Sequence, residues 1–452
     1  MTSPFHSYDI RGLFPEEINA ELVWRYGKAY MDLYDPETAV VGHDMRLSSP
    51  ELHEALVDAL LQSGCRVWDI GLASTDMMYL AVINWKTAAG FMITASHNGP
   101  RYNGVKTVKR NAVPVGMGSG LEKLKEITES QRSFCSCSFS GKKSRTAFLD
   151  EYTSTLFSLV AADSIPPMSV AIDSGNGMGG LVLPRILERL PLKSENIFFD
   201  LDGTFPNHEA NPMIEKNRTE LVSTVLRTGS TLGFAPDGDC DRGFFIDERG
   251  RYINGDFTLA FLLEGELENY PGKPCVYDVR CSNKVRDTIL NLGGIPVMGK
   301  VGHAYGKALM LEKDAAFGGE VSGHYYFRTA GGVFDSGPLA LLKFLYLLGK
   351  KGKMPSHILD ESENYHISGE LSARVSDPDK IIQTVINTMG NGKNIITTDG
   401  IRIEGDDFWF SIRKSNTEPL LRLNVEADTA SLMETVRDEI FDLFKSFSIQ
   451  SE

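Results

Sequence analysis

One arrangement recurs three times along this chain and restricts its fold more than any other feature. A short apolar run ends in an acidic turn, a helical pattern follows, and a second apolar run comes after it. The first runs are residues 39–44, 169–173 and 274–278, closing on Asp44, Asp173 and Asp278. Helical patterns follow at 51–62, 179–190 and 283–292, and the second runs at 65–70, 196–199 and 295–298. Strand, helix and strand at this spacing predict parallel strands joined by right-handed crossovers. Each unit then reaches a further strand that ends in a polar loop: Thr94-Ala-Ser-His-Asn98, Pro236-Asp-Gly-Asp-Cys-Asp-Arg242 and Gly319-Glu-Val-Ser-Gly-His324. Ligands of open α/β sheets bind outside the carboxyl ends of strands, so three such loops predict one shared cleft.

From about Tyr365 the pattern changes. An alternating strand at 407–412, the polar run Lys414-Ser-Asn-Thr-Glu-Pro419, a strand at 420–425 and a helix at 431–445 predict a smaller antiparallel α+β unit. With 452 residues the chain exceeds what one core supports. The expected fold class is therefore α/β: three similar mixed α/β domains at 1–146, 147–247 and 248–359, plus a smaller C-terminal α+β domain at 360–452, around a central cleft. The Ser-, Lys- and Arg-rich stretch 131–145 reads as an exposed loop or hairpin leading into the second domain. A net charge of -14 argues against nucleic acid or an anionic membrane as partner, while leaving room for a locally basic pocket. The start shows no signal-peptide pattern and no apolar run is long enough to span a bilayer, so a cytoplasmic protein is expected. The six cysteines are scattered. Cys135 and Cys137 form a Cys-x-Cys with no second pair, so reduced thiols are expected rather than a zinc site.

The loops carry the chemistry. The apolar run 90–93 reads as a buried strand that throws Ser96 out beside His97, where a hydroxyl can become a covalent carrier. Asp237-Gly-Asp-Cys-Asp241 sets three carboxylates at alternate positions, a donor set that selects Mg²⁺ or Ca²⁺. An EF-hand is disfavoured, because Arg242 stands where its glycine belongs and both flanks read as strands; a solvated acidic turn is the other alternative. Arg242 beside these acids suits a phosphate oxygen near the same cation. Arg413-Lys-Ser-Asn-Thr417, with Arg422, gathers donors that match a phosphate dianion, or make an ordinary polar turn. Glu320 and Ser322 can bond to neighbouring sugar hydroxyls, or belong to a generic loop. Tyr8-Asp-Ile-Arg-Gly12 brings Arg11, and Lys106, Arg280 and His303 follow in other units. Each alone also suits a surface charge or a satisfied core histidine. Together they supply cations to a cleft in an acidic protein, which an anionic substrate explains.

The runs Tyr8-Asp-Ile-Arg-Gly12, Thr94-Ala-Ser-His-Asn98, Asp237-Gly-Asp-Cys-Asp-Arg242, Gly319-Glu-Val-Ser-Gly-His324 and Arg413-Lys-Ser-Asn-Thr-Glu-Pro419 occur in the order of the α-D-phosphohexomutase superfamily. The chain resembles that family over nearly its whole length, and within it the bacterial phosphomannomutases and phosphomannomutase/phosphoglucomutases most. The resemblance implies an isomerase that interconverts mannose 6-phosphate and mannose 1-phosphate through a phosphoserine enzyme and a hexose 1,6-bisphosphate. Phosphoglucomutase and phosphoglucosamine mutase activities are the alternatives. It implies that Ser96 carries the phosphoryl group, with His97, Arg11, Lys106 and His303 as further catalytic candidates. It implies Mg²⁺ held by Asp237, Asp239 and Asp241 together with the group on Ser96. Glu320 and Ser322 would hold the sugar's 3- and 4-hydroxyls, and Arg413, Ser415, Asn416 and Thr417 the distal phosphate. Tyr8, Arg242, Arg280 and Arg422 complete the implied substrate contacts. The implied partner is a small sugar phosphate, and the protein a monomer or homodimer. Two departures stand out: Gly99 precedes Pro100 where many members have proline directly, and Arg280 replaces a lysine of some members.

Overall fold

In the computed structural model the recurrence becomes a shared topology. The structure describes residues 3–130, 133–134, 141–414 and 420–446. In the first unit, strand Thr38–His43 lies between Arg66–Leu72 and Ala89–Ile93, parallel to both, and Tyr102–Lys109 returns antiparallel to Ala89–Ile93. The second unit places Met168–Asp173 between Leu192–Ile197 and Leu232–Pro236, with Gly243–Ile246 returning. The third places Pro274–Asp278 between Ile295–Gly299 and Phe317–Gly319, with Tyr325–Thr329 returning. Helices Ser49–Gln62, Gly179–Leu187 and Asn283–Asn291 make the first crossovers. Helices Thr75–Trp85, Thr219–Thr228 and His303–Glu312 make the second. All three polar loops therefore sit in one place: the reversal from the third strand into the antiparallel return.

Two expectations needed correction. The second strand of the middle unit runs Leu192–Ile197, ahead of 196–199, and the preceding helix stops at Leu187. Pro191 disfavours the helical region at Leu190, and the chain passes through a turn at 188–191 into the strand. That strand is an edge with no fully buried residue, so it lacks the apolar pattern of its partner. The stretch 131–145 is not simply a loop either: Lys143–Arg145 pairs parallel with Arg66–Leu72 as an edge strand. Residues 131–132 and 135–140, Cys135 and Cys137 among them, lie outside the described residues. The cysteines Cys65, Cys240, Cys275 and Cys281 are buried free thiols.

The last unit is antiparallel throughout, with Leu420–Ala427 flanked by Phe408–Lys414 on one side and by His366–Ile367 and Leu371–Arg374 on the other. Helices Pro378–Met389 and Ala430–Ser446 bury Ile381, Val385, Val436 and Ile440 against Phe410, Ile412 and Leu423. Among the described residues no helix is long and apolar enough to cross a membrane.

One apolar core runs through the first three units, from Val40 and Val82 through Ile172 and Phe234 to Phe317 and Phe344, while the last unit has a core of its own. Helix Thr75–Trp85 is buried from Thr75 to Ile83, as expected of a helix enclosed by neighbours on every side. Its first turn carries a buried acid. Asp76 accepts hydrogen bonds from Ser74 Oγ, from Tyr152 OH of the second unit (2.8 Å) and from Ser336 Oγ of the third (2.6 Å). Burial pushes this carboxyl from the ordinary 3.8 up to about 7. An acid raised on folding binds more protons folded than unfolded between those two values, so its contribution is present at low pH and lost as pH climbs through 7. Asp76→Asn, which keeps the shape without the charge, is expected to flatten the fall in stability between pH 5 and 7.5. Unfolding free energies from urea titration should show the wild type losing roughly 1–3 kcal/mol relative to the variant over that range, since each pKa unit is worth about 1.4 kcal/mol. Parallel curves would show that Asp76 does not titrate there.

Candidate active site

Strand Ala89–Ile93 is buried at every position and delivers the serine loop to the centre of the molecule. Ser96 has φ +52°, the left-handed region that a residue with a Cβ adopts only when its surroundings hold it there. Two devices hold it. Ser96 N donates to Thr94 Oγ1 (2.9 Å). The buried Arg46 donates to the carbonyls of Ser96 (2.9 Å), Asn98 (2.5 Å), Gly99 (2.7 Å) and Tyr102 (3.0 Å), while its Nε pairs with Asp44 (3.1 Å). A planar guanidinium with five donors suits this work, which an ammonium cannot repeat. Ser96 Oγ donates to Asp237 Oδ2 at 2.7 Å and lies 3.2 Å from His97 Nδ1.

The acidic loop rests directly on the serine loop. A Cβ at Gly238 would lie 2.6 Å from the Ser96 carbonyl oxygen, so only glycine allows this approach. The flanking strands pair with each other, Pro236 opposite Gly243, which excludes a helix–loop–helix EF-hand. Asp237, Asp239 and Asp241 are fully buried, and one oxygen of each lies within 4.8 Å of the others. Lys106 crosses from the first unit, donating to Asp239 Oδ2 (2.7 Å) and to Asp241 Oδ2. Burial alone would favour loss of its proton; the two carboxylates outweigh that and hold Lys106 above the ordinary lysine range. Burial together with Asp239 and Asp241 drives Asp237 well above the usual carboxylate range. Three clustered acids with one ammonium and the guanidinium of Arg242 nearby are still short of positive charge. Asp239 Oδ1 and Asp241 Oδ1 are buried without a hydrogen-bond partner. Hard oxygen donors, an excess of negative charge and two unpartnered oxygens together fit a divalent cation such as Mg²⁺.

The third loop closes on the second through its backbone. Gly243 N donates to Gly323 O (3.0 Å), and Arg242 bridges to His324, its Nε 3.0 Å from His324 Nε2 and 3.6 Å from Asp237 Oδ2. Glu320 accepts from Gly302 N (2.6 Å) and Ser322 Oγ (2.6 Å). These loops border a cleft of about 730 Å³. Its walls carry Tyr8, Arg11, His97, Lys106, Arg242, Arg280, His303, Glu320, Ser322, Arg413 and Arg422. Arg11 donates to Asn98 Oδ1 and Asp9 Oδ2, both at 2.6 Å, and Tyr8 OH donates to Val301 O (3.0 Å). Arg280 is paired with Asp278 (2.8 Å), and Glu370 approaches Arg280, Arg413 and Arg422 at 3.5, 3.6 and 2.9 Å. Burial, with Lys307 nearby, holds His303 well below the ordinary imidazole range, and burial with Arg242 and Arg11 does the same to His97. The structure thus brings together residues from all four units, with Ser96 and the three aspartates beneath the cleft wall. Ser415, Asn416 and Thr417 lie outside the described residues.

Several residues of this region escaped the sequence reading. Arg46 is one. His324, present in a motif but not singled out, has Nδ1 2.8 Å from Asp335 Oδ2, and the buried Lys307 holds the other oxygen of Asp335 at 2.5 Å. The only sequence signal was His324's place in its loop. Nothing near Arg46, Lys307 or Asp335 marks them as more than scattered charges.

Comparison with known proteins agrees with this architecture. Four consecutive family descriptions match: phosphoglucomutase/phosphomannomutase alpha/beta/alpha domain I at residues 2–133, domain II at 147–250, domain III at 254–365 and the C-terminal domain at 370–443. A phosphohexose mutase of Xanthomonas campestris pv. campestris is 36% identical over 449 residues, covering 98% of this chain and 100% of its own. A phosphomannomutase of Salmonella montevideo is 35% identical over 451 residues, covering 98% and 99%. The crystal structure of a phosphoglucomutase/phosphomannomutase family protein from Burkholderia thailandensis is 29% identical and superposes with a TM-score of 0.88 over 99% of this chain and 98% of that one. The chain belongs to the phosphoglucomutase/phosphomannomutase family and is an isomerase of the phosphohexomutase class.

Arg46→Lys keeps the charge and loses the fork. It is expected to lower stability by about 2–4 kcal/mol, because carbonyls of the serine loop lose buried donors. Amide hydrogen exchange in a peptide covering residues 94–102 should quicken more than elsewhere. Unchanged protection there would show that the loop holds its shape without the guanidinium.

Proposed function

We propose that the enzyme interconverts mannose 6-phosphate and mannose 1-phosphate, with Ser96 as the covalent phosphoryl carrier and a hexose 1,6-bisphosphate as intermediate. The observation that carries this reading is the Ser96 hydroxyl, 2.7 Å from the Asp237 carboxylate beneath a cation-lined cleft. Asp237, Asp239 and Asp241 would hold Mg²⁺, which supplies positive charge to the transferring phosphoryl group when bound. In the first half-reaction the bond from phosphorus to Ser96 Oγ breaks as a bond to the free sugar hydroxyl forms. Lys106, kept protonated by its acids, and Arg242 and Arg11 offset charge on the equatorial oxygens. The hydroxyl proton needs a base within reach, and His303, on the cleft wall, is the imidazole proposed for it. The bisphosphate then turns end for end, and the second half-reaction returns the other phosphoryl group to Ser96.

Glu320 and Ser322 would grip the 3- and 4-hydroxyls, and Arg413 and Arg422, with Ser415, Asn416 and Thr417, the phosphate that is not reacting. Such a grip does not read the configuration at carbon 2, so glucose phosphates are proposed as further substrates. The Salmonella relative, a phosphomannomutase, favours mannose as the preferred sugar.

Turnover of mannose 1-phosphate, glucose 1-phosphate and glucosamine 1-phosphate, each with Mg²⁺ and a trace of hexose 1,6-bisphosphate, tests the reading directly. Fast conversion of the mannose compound is expected, slower conversion of the glucose compound, and least of the third. Release of inorganic phosphate without isomerisation would make the protein a phosphatase instead. Ser96→Ala should abolish mutase turnover, and substantial retained activity would remove the covalent carrier from the scheme. Arg413→Ala should raise KM by about tenfold or more, in line with roughly 1.5–3 kcal/mol for a hydrogen bond to a charged group, with a smaller effect on kcat.

A further inference from the structure

The acidic loop is gripped from the first unit at a point outside the cleft. Helix Thr75–Trp85 begins against Asp239, and Thr75 meets that residue twice. Thr75 N donates to the Asp239 carbonyl (2.9 Å), and Thr75 Oγ1 donates to Asp239 Oδ2 (2.5 Å). Lys106 Nζ occupies the same Oδ2 (2.7 Å). Both donors therefore fall on one carboxylate oxygen and leave Oδ1, buried and without a partner, turned away from them. The helix start is itself anchored: the neighbouring Asp76 is bonded to Ser74, Tyr152 and Ser336, so residues of three units fix the position of Thr75. The positive end of the helix adds to the preference for an ionised carboxylate.

We propose that Thr75 is a positioning residue for the cation of the acidic loop. Together with Lys106 on the same oxygen, its hydroxyl keeps Oδ2 of Asp239 engaged and Oδ1 open to the ion, and so couples cation affinity to the seating of the first unit on the second. This inference rests on the cation-binding role proposed for Asp237, Asp239 and Asp241. Thr75 does not line the cleft; it acts only through Asp239. Partners that orient a ligand carboxylate commonly contribute roughly 10- to 100-fold to metal affinity.

Thr75→Val removes the hydroxyl at nearly constant volume and keeps the backbone bond to Asp239, while Thr75→Ser keeps the donor. Binding of Mn²⁺ to the whole protein, read by electron paramagnetic resonance without any sugar, is the primary measurement. The expected result is Mn²⁺ binding weakened roughly 10- to 100-fold in Thr75→Val and restored to within about threefold in Thr75→Ser. KM for the sugar phosphate at saturating Mg²⁺ should stay unchanged in both. Equal Mn²⁺ affinity in Thr75→Val and the wild type would overturn the inference and leave the proposed function standing. Weakened binding that Thr75→Ser fails to restore, or that follows a lowered unfolding temperature in EDTA, would reduce Thr75 to a packing role. Failure of the wild type to bind Mn²⁺ would remove the cation role of the acidic loop, and this inference with it.

Discussion

Three carboxylates buried within one five-residue turn set the terms for the rest of this molecule. Taking a single ionised acid out of water costs several kcal/mol unless it is paired, and clustered acids add mutual repulsion. The turn itself offers little compensation. Lys106 arrives from the first unit, and the Ser96 hydroxyl arrives from the same unit to bond Asp237. Arg242 follows the acids in sequence but is steered by His324 of the third unit. The acidic loop is thus tolerable only where other units converge on it. The same convergence brings the Ser96 hydroxyl, the three aspartates, Lys106 and Arg242 together in one place.

Topology makes that convergence repeatable. In each of the first three units the functional loop follows the third parallel strand and precedes the antiparallel return, so its position relative to the sheet is the same each time. The loops then meet through backbone as well as side chains: Gly238 on the Ser96 carbonyl, and Gly243 on Gly323. Backbone contact fixes these loops more tightly than paired side chains would, since a side chain has rotamers to exchange. One continuous apolar core beneath the loops resists displacement of any unit alone.

The fourth unit is attached differently. Its main core is separate, and its hold on the third unit is largely polar, with only Tyr365 and Ile367 packed against the shared core. The buried Arg402 donates to the carbonyls of Val279 (2.9 Å) and Cys281 (3.1 Å) and to Asn283 Oδ1 (2.7 Å), its guanidinium stacked 3.6 Å above Trp409. Asp399 joins Arg413 to Val301 N. A body with its own core and a polar contact can swing without disturbing the shared core. The unit carrying Arg413 and Arg422 is therefore the one best placed to move relative to the other three.

Periodicity and turn chemistry were enough to read three repeated units, an antiparallel fourth and the loops that carry Ser96, Asp237, Asp239, Asp241, Glu320 and Arg413. These features are local: a strand's apolar run and the polar residues at its end are neighbours in the chain. The exposed edge strand Leu192–Ile197 was misplaced because nothing apolar marks a strand with one bare side. Arg46 and Thr75 were invisible for a different reason. Arg46 acts on carbonyls about fifty residues away and Thr75 on an acid 164 residues away, and neither sits in a motif. The residue types needed for the chemistry were determined by sequence alone. Which oxygens of Asp239 and Asp241 are free, and which cation answers which carboxylate, was decided only by tertiary structure, because charge compensation in a buried site depends on distances that chain order does not encode.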